Sequence, residues 1–207
     1  MNAIPTPASF RDKALLSKTL TLRRFTASDI EGRYQKWLSD YEVTKHLEVA
    51  FSDKSTAALK DFVQSIESNA NRLFYMIVIR ETGELIGTAS LEIDPIHRLG
   101  SYGYMIGERQ WWGKSIAIEA QVALFDLAFD HLGVTRFYGG ARMGNIASQF
   151  NLKRLGFRKE GVFRKHVRKV PDSDEYVDVV FYGLLREEWY SICKKFDSCR
   201  YGGLEDL

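Results

Sequence analysis

Cysteine, proline and long apolar runs are all scarce in this chain, and each scarcity excludes something. Its two cysteines, Cys193 and Cys199, lack C-x-x-C spacing and a nearby histidine cluster, so neither a disulfide framework nor a zinc site is indicated. Reduced thiols and a cytoplasmic location are the expectation, with no metal. No window reaches the ~18 to 20 apolar residues that span a bilayer, and the first residues lack the apolar core of a cleavable signal. No membrane partner is therefore expected. Charge of one sign is also missing: 29 Lys and Arg stand against 27 Asp and Glu, a net of +2. No global basic field calls for nucleic acid.

What is present suits one folded domain. A 45% hydrophobic share in 207 residues is ample for a sizeable core. Four prolines leave room for regular elements, and two of them, Pro5 and Pro7, fall in a stretch of small polar residues. Residues 1–18 are read as a flexible extension, 19–196 as the domain and 197–207 as a tail. Charge is concentrated in Arg154, Arg158, Lys159, Arg164, Lys165, His166, Arg168 and Lys169. That segment is either a solvated face or a surface for an acidic partner.

Periodicity places the elements. Thr19 to Phe25 alternates as a strand, Ser28 can cap a helix to about Ser39, and Ser55 to Ser68 carries a helical pattern. Leu73–Arg80 and Leu85–Ile93 flank the turn Glu81-Thr82-Gly83-Glu84 as a hairpin, and Gly100–Gly107 pairs next. Ile116, Ala120, Ala123, Leu124, Leu127 and Leu132 mark one face of a helix that Gly133 ends. A strand over 135–142, a helix from Asn145 to Leu155, strands over 157–169 and 176–185, and a helix from Arg186 follow.

Between the strand ending at Gly107 and the helix starting at Ile116 lies Gln110-Trp111-Trp112-Gly113-Lys114-Ser115-Ile116-Ala117. First-turn N–H groups have no partner within a helix and sit at the positive end of its dipole, so this loop can seat a diphosphate, with Lys114 adding charge. Three readings follow from the residues alone. A tight turn capped by Ser115 is the plainest. A P-loop fails on spacing, because the required first glycine falls on Glu108. A dinucleotide loop fails because the second glycine of G-x-G-x-x-G is absent.

A fourth reading comes from resemblance. Leu20-Thr21-Leu22-Arg23-Arg24-Phe25, Ile86-Gly87-Thr88-Ala89-Ser90-Leu91, Gly103-Tyr104-Met105-Ile106-Gly107, the Gln110–Ser115 loop, Asn145-Ile146-Ala147-Ser148 and Leu155-Gly156-Phe157 occur in this order. From about Leu20 to Trp189 the sequence resembles the GNAT superfamily of acetyl-CoA-dependent N-acetyltransferases, in particular its RimJ/RimL-like branch. The family loop reads Q/R-x-x-G-x-G/A, and Ser115 is the one departure. The resemblance implies an α/β GNAT fold, with a mixed, mostly antiparallel sheet splayed between two central strands and flanked by helices. It implies acetyl-CoA as cosubstrate, held by Met105, Ile106, Gly107, the loop from Gln110 to Ala117, and Asn145. A homodimer is a further expectation of the resemblance.

The implied chemistry is attack of a neutral amine on a thioester. An alkylamine has a pKa near ~10, so a base must take its proton. Many relatives carry a carboxylate where this chain has Ser101, and Glu92, ending the preceding apolar strand, is the alternative; an exposed strand-end carboxylate is its plain reading. His97 in the next turn can relay a proton or be a surface histidine. A tyrosine that many relatives use as thiolate acid is replaced by Leu152, which leaves Ser148 or water. Asn145 and Ser148 also suit helix capping. Trp37, His46, Glu92, His97 and Tyr102 are candidate acceptor contacts, with core packing as the other reading of the aromatics. The acceptor is expected to be a small-molecule amine such as an amino sugar. A protein N-terminus and a non-catalytic CoA-binding module are the alternatives.

Overall fold

A computed structural model describes residues 5–206. In chain order its elements are β1 (Lys13–Ser17), β2 (Leu20–Arg24), α1 (Gln35–Ser39), α2 (Tyr41–Thr44), α3 (Thr56–Ser68), β3 (Arg72–Ile79), β4 (Leu85–Asp94), β5 (Leu99–Ile106), α4 (Ile116–Asp126), β6 (Arg136–Arg142), α5 (Ile146–Arg154), β7 (Arg158–Arg168), β8 (Tyr176–Leu185), α6 (Arg186–Ile192) and β9 (Arg200–Asp206). One nine-stranded sheet runs in the order β7-β8-β6-β5-β4-β3-β2-β1-β9. Every neighbouring pair is antiparallel except β5 with β6.

Strand alternation divides the core in two. Ala89, Leu91, Ile93, Phe137, Val180, Tyr182 and Leu184 meet α4 and Trp189 of α6 on one face. Met76 and Met105 meet Trp37, Leu38, Leu59 and Val63 under α1 and α3 on the other. The aromatic centre of the first face is Phe125, whose ring lies 4.5 to 5.7 Å from those of Tyr102, Phe137, Phe157 and Trp189. α4 is also fixed by a buried carboxylate. Glu119 accepts from Ser17 Oγ at 2.6 Å, Thr19 N at 2.7 Å and Thr19 Oγ1 at 2.9 Å, which satisfies a charge that would otherwise be costly to bury.

Three expectations change. The supposed extension carries β1, because Ala14, Leu15 and Leu16 are apolar enough to be buried and both backbone edges pair, with β2 and β9. The same pairing makes 200–206 of the supposed tail a strand; residues 1–4 and 207 lie outside the described residues. The single helix expected from Ser28 to Ser39 is broken at Glu31 and Gly32, where Gly32 takes φ +100°. Asp29, not Ser28, organises the first turn, accepting from Thr26 N at 2.9 Å and Arg23 Nη1 at 2.9 Å. The cap at Asn145, the positive φ of Gly133 and the 81–84 turn stand as read, and Ser55 caps α3 by accepting from Ala58 N.

Candidate functional site

β5 and β6 pair in parallel only at Leu99↔Arg136 and Gly100↔Phe137, and beyond Gly100 they part. The Gly107 amide donates to Ile86 O at 2.8 Å, so it belongs to the ladder with β4. By alternation, the N–H and C=O groups of Tyr102, Tyr104 and Ile106 are the ones turned toward the wedge. Met105 and Gly107, expected to make such contacts, face the ladder with β4 instead. The Ile106 carbonyl already accepts from Trp112 Nε1 at 2.8 Å.

The loop after β5 ends at the first turn of α4. Gly113 takes φ +75° and Ser115 φ +61°, and a Cβ on Gly113 would meet nothing within 4 Å. Ser115 does not cap the helix with its side chain; in its left-handed conformation the hydroxyl instead accepts from Arg154 Nη1 at 3.2 Å. Lys114 Nζ lies 4.8 Å from the centroid of the Trp111 ring. Beneath, Glu84 of the β3–β4 turn accepts from Gln110 Nε2 at 3.1 Å and Trp111 Nε1 at 3.3 Å, holding both side chains against the loop. Gln110, Trp111 and Trp112 thus shape the loop, while Gly113 and Lys114 are exposed and the first-turn amides of Ile116 and Ala117 have no partner within the helix. Uncrowded glycine, free helix amides, Lys114 and Arg154 make a donor set that fits a diphosphate.

Trp37 and Tyr102 leave the acceptor list. Trp37 is buried, its Nε1 donates to Glu108 Oε1 at 3.0 Å, and a Cβ on Gly107 would lie 2.1 Å from its ring. It supports the end of β5. Tyr102 points to the α4 face, edge-on to Phe125 and Phe137, and burial there pushes its phenol well above the usual range. On the opposite face Glu92 is exposed and lies across from Ser101. His97 is exposed in the β4–β5 turn, where its amide donates to Asp94 Oδ1 at 3.0 Å. His46 is half-buried beyond α2, and its pKa is lowered by burial first and by Lys45 and Arg142 next. Gly103 and Gly140 stand on the two lips of the wedge, where neither strand narrows it with a side chain.

α5 closes the other side. Asn145 Oδ1 accepts from Ser148 N at 3.1 Å, which leaves the Asn145 amide NH₂ and the half-buried Ser148 hydroxyl for other partners. One turn on, Asn151 Nδ2 donates to Tyr104 OH at 3.3 Å, a bond from α5 back to β5. Leu152 is core. Asn151, Arg142 and Glu84 are not among the sequence candidates. Only the three-residue spacing of Ser148 and Asn151 could have hinted at one of them.

A parallel pair that splays after two residues, with a helix N-terminus at its open end, is an acyl-CoA-transferase type of fold. Residues 19–158 match the acetyltransferase (GNAT) domain, and the chain belongs to that family. It is 27% identical over 179 residues to YnaD, an uncharacterized N-acetyltransferase of Bacillus subtilis strain 168, covering 84% of this chain and 98% of that protein. In fold it resembles spermidine N-acetyltransferase from Vibrio cholerae in complex with CoA and spermine, with TM-score 0.73 and 19% identity over 83% of this chain and 98% of that one. RimL, the ribosomal L7/L12 alpha-N-protein acetyltransferase in complex with coenzyme A, gives TM-score 0.72 and 21% identity over 83% of this chain and 97% of its own.

Proposed function

We propose that this chain is an acetyl-CoA-dependent N-acetyltransferase of the RimJ/RimL-like kind, acting on a primary amine of a small molecule. The observation that carries the reading is continuity: the wedge edge of β5 leads straight from Gly103 to the anion seat at α4. From Gly103 to Gly107 and on into the loop, strand geometry at ~3.3 Å per residue spans a length suited to a pantetheine arm. Acetyl-CoA supplies the activated acetyl group. The loop amides, Lys114 and Arg154 hold its diphosphate, and backbone groups of Tyr104 and Ile106 pair with its amides as an added strand would. The Asn145 amide adds a donor from α5.

Glu92 takes the proton from the incoming amine, directly or through one water, because its carboxylate lies on the acceptor face across from Ser101. Ser148 returns a proton to the departing sulfur. Wedge-facing N–H groups of β5 stabilise charge on the carbonyl oxygen in a site shaped before substrate arrives. His46 and His97 contact the amine substrate at the rim of the acceptor face. The protein works in the cytoplasm, and a homodimer fits its family.

Calorimetric titration with acetyl-CoA, with magnesium ATP in parallel, tests the ligand, and thiol release against an amine panel tests the transfer. The panel includes spermidine, an amino sugar and a peptide with a free N-terminus. Selective acetyl-CoA binding with amine-dependent thiol release supports the reading. Preference for ATP overturns it, and binding without transfer to any amine favours a CoA-binding module.

A further inference from the structure

Resting on the transferase reading, we propose that Arg142 receives an anionic group of the acceptor, a carboxylate or a phosphate, and that Glu48 holds that place in the free protein. Ala141 points into the α4-side core, so Arg142 at the end of β6 points to the opposite, acceptor face. Continuing the register of Leu99↔Arg136 sets Gly140 level with Gly103 and Arg142 level with Met105. Arg142 is therefore two residues, about 7 Å, from the glycine lip of the wedge.

The guanidinium is enclosed but poorly satisfied. The Arg142 side chain is 7% exposed, and Phe51 covers it with its ring centroid 5.3 Å away. Nη1 donates to Lys169 O at 2.9 Å, and Nη2 meets Glu48 Oε1 at 3.2 Å. Nε is buried with no acceptor among the described residues. Nε and Nη2 form one edge of the planar group, the edge that takes a carboxylate or phosphate side-on with two parallel bonds. Glu48 uses half of that edge.

Glu48 is poorly suited to be the permanent partner. Its side chain is 79% exposed, so it keeps most of its water and its ion pair adds little. It sits on the 47–52 segment, where Leu47 and Val49 pack on the core while Glu48 reaches across to β6. A carboxylate held this way can yield to a ligand oxygen with little loss. Beside it, burial first and then Lys45 and Arg142 lower the pKa of His46, which disfavours a second positive charge on the imidazole.

The test compares matched amines on the full-length protein with acetyl-CoA: glucosamine with its 6-phosphate, a glutamyl peptide with its glutaminyl counterpart, and spermidine as the cationic case. The anionic member of a pair is expected to show a KM about ten- to a hundredfold below its neutral partner. The phosphate pair and the carboxylate pair separate the two anion sources. Arg142→Gln equalises the pair. Glu48→Gln lowers the KM of the anionic member relative to its neutral partner, and it remains informative if Arg142→Gln fails to fold. Equal KM values within both pairs, or a preference for spermidine, overturns the proposal. If acetyl-CoA binds but no amine releases thiol, the transferase reading falls by itself. Titration of glucosamine 6-phosphate and of the glutamyl peptide into wild type and Arg142→Gln then decides the anion site: binding of either that the substitution abolishes supports it, and binding by neither, or equally by both proteins, refutes it.

Discussion

The indole Nε1 of Trp37 donates to the Glu108 carboxylate at 3.0 Å, and this bond fixes the end of β5 to α1. Arg33 Nη1 reaches the same carboxylate at 2.9 Å. The pair sets where the chain leaves the sheet for the Gln110–Ser115 loop. Trp37→Phe keeps most of the packing and removes a charge-assisted bond worth roughly 1.5 to 3 kcal/mol. The melting midpoint should fall by about 3 to 12 °C, and calorimetry should show weaker acetyl-CoA binding because the loop loses its footing.

Ser115 adopts φ +61°, a conformation that costs a residue with a Cβ about 1 kcal/mol and glycine nothing. Ser115→Gly should therefore raise the midpoint by about 2 to 4 °C. Its affinity for acetyl-CoA should stay within about twofold if main-chain amides do the binding. A drop of tenfold or more would show that the hydroxyl itself is a ligand.

Two hydroxyls lie along α5, and kinetics separates them. Ser148→Ala should lower kcat by about a hundredfold with little change in KM for acetyl-CoA, as expected for lost proton transfer. Tyr104→Phe breaks only the bond from Asn151 and should change kcat by less than about threefold. The reverse order would assign the proton to Tyr104.

Asp29 gives the fold a sensitivity to acid. Burial alone would raise its pKa, but the Arg23 guanidinium and the Thr26 donors outweigh burial and bring it below the usual value. A folded-state pKa below the unfolded one stabilises above about pH 4, and that contribution is lost as pH falls through the folded value. Urea titrations of wild type should therefore weaken below pH 4. Asp29→Asn should lose about 1.5 to 3 kcal/mol at neutral pH and lack this part of the acid slope.

Local rules were enough for much of the fold. Asn145 caps a helix, Gly133 ends one, and alternation locates β3 to β6. Pairing between distant residues was not legible in the same way. β1 has a weak local signal because Ala14-Leu15-Leu16 is a short apolar run, and one of its two partners, β9, lies nearly the whole chain away. Glu84 read as a turn residue, yet it supports the loop through Gln110 and Trp111. Trp37 and Tyr102 had the chemistry of ligand contacts and the spacing of core residues, and the three-dimensional packing chose the core. Arg142 carried no motif at all; only the register that sets it near Gly140 gives it a candidate role.

The β1 and β9 pairing has a mechanical consequence. Lys13 lies opposite Asp206 and Leu16 opposite Gly203, so the chain enters and leaves this edge at the same place. A pull applied at positions 13 and 206 would load that first rung alone and open the pair one rung at a time, like a zip. α4 meets the far end of the pair, where Glu119 accepts from Ser17 and Asp126 from Arg200, and would take up the load as the last rungs open; the β5–β6 wedge lies further into the sheet and would feel it later.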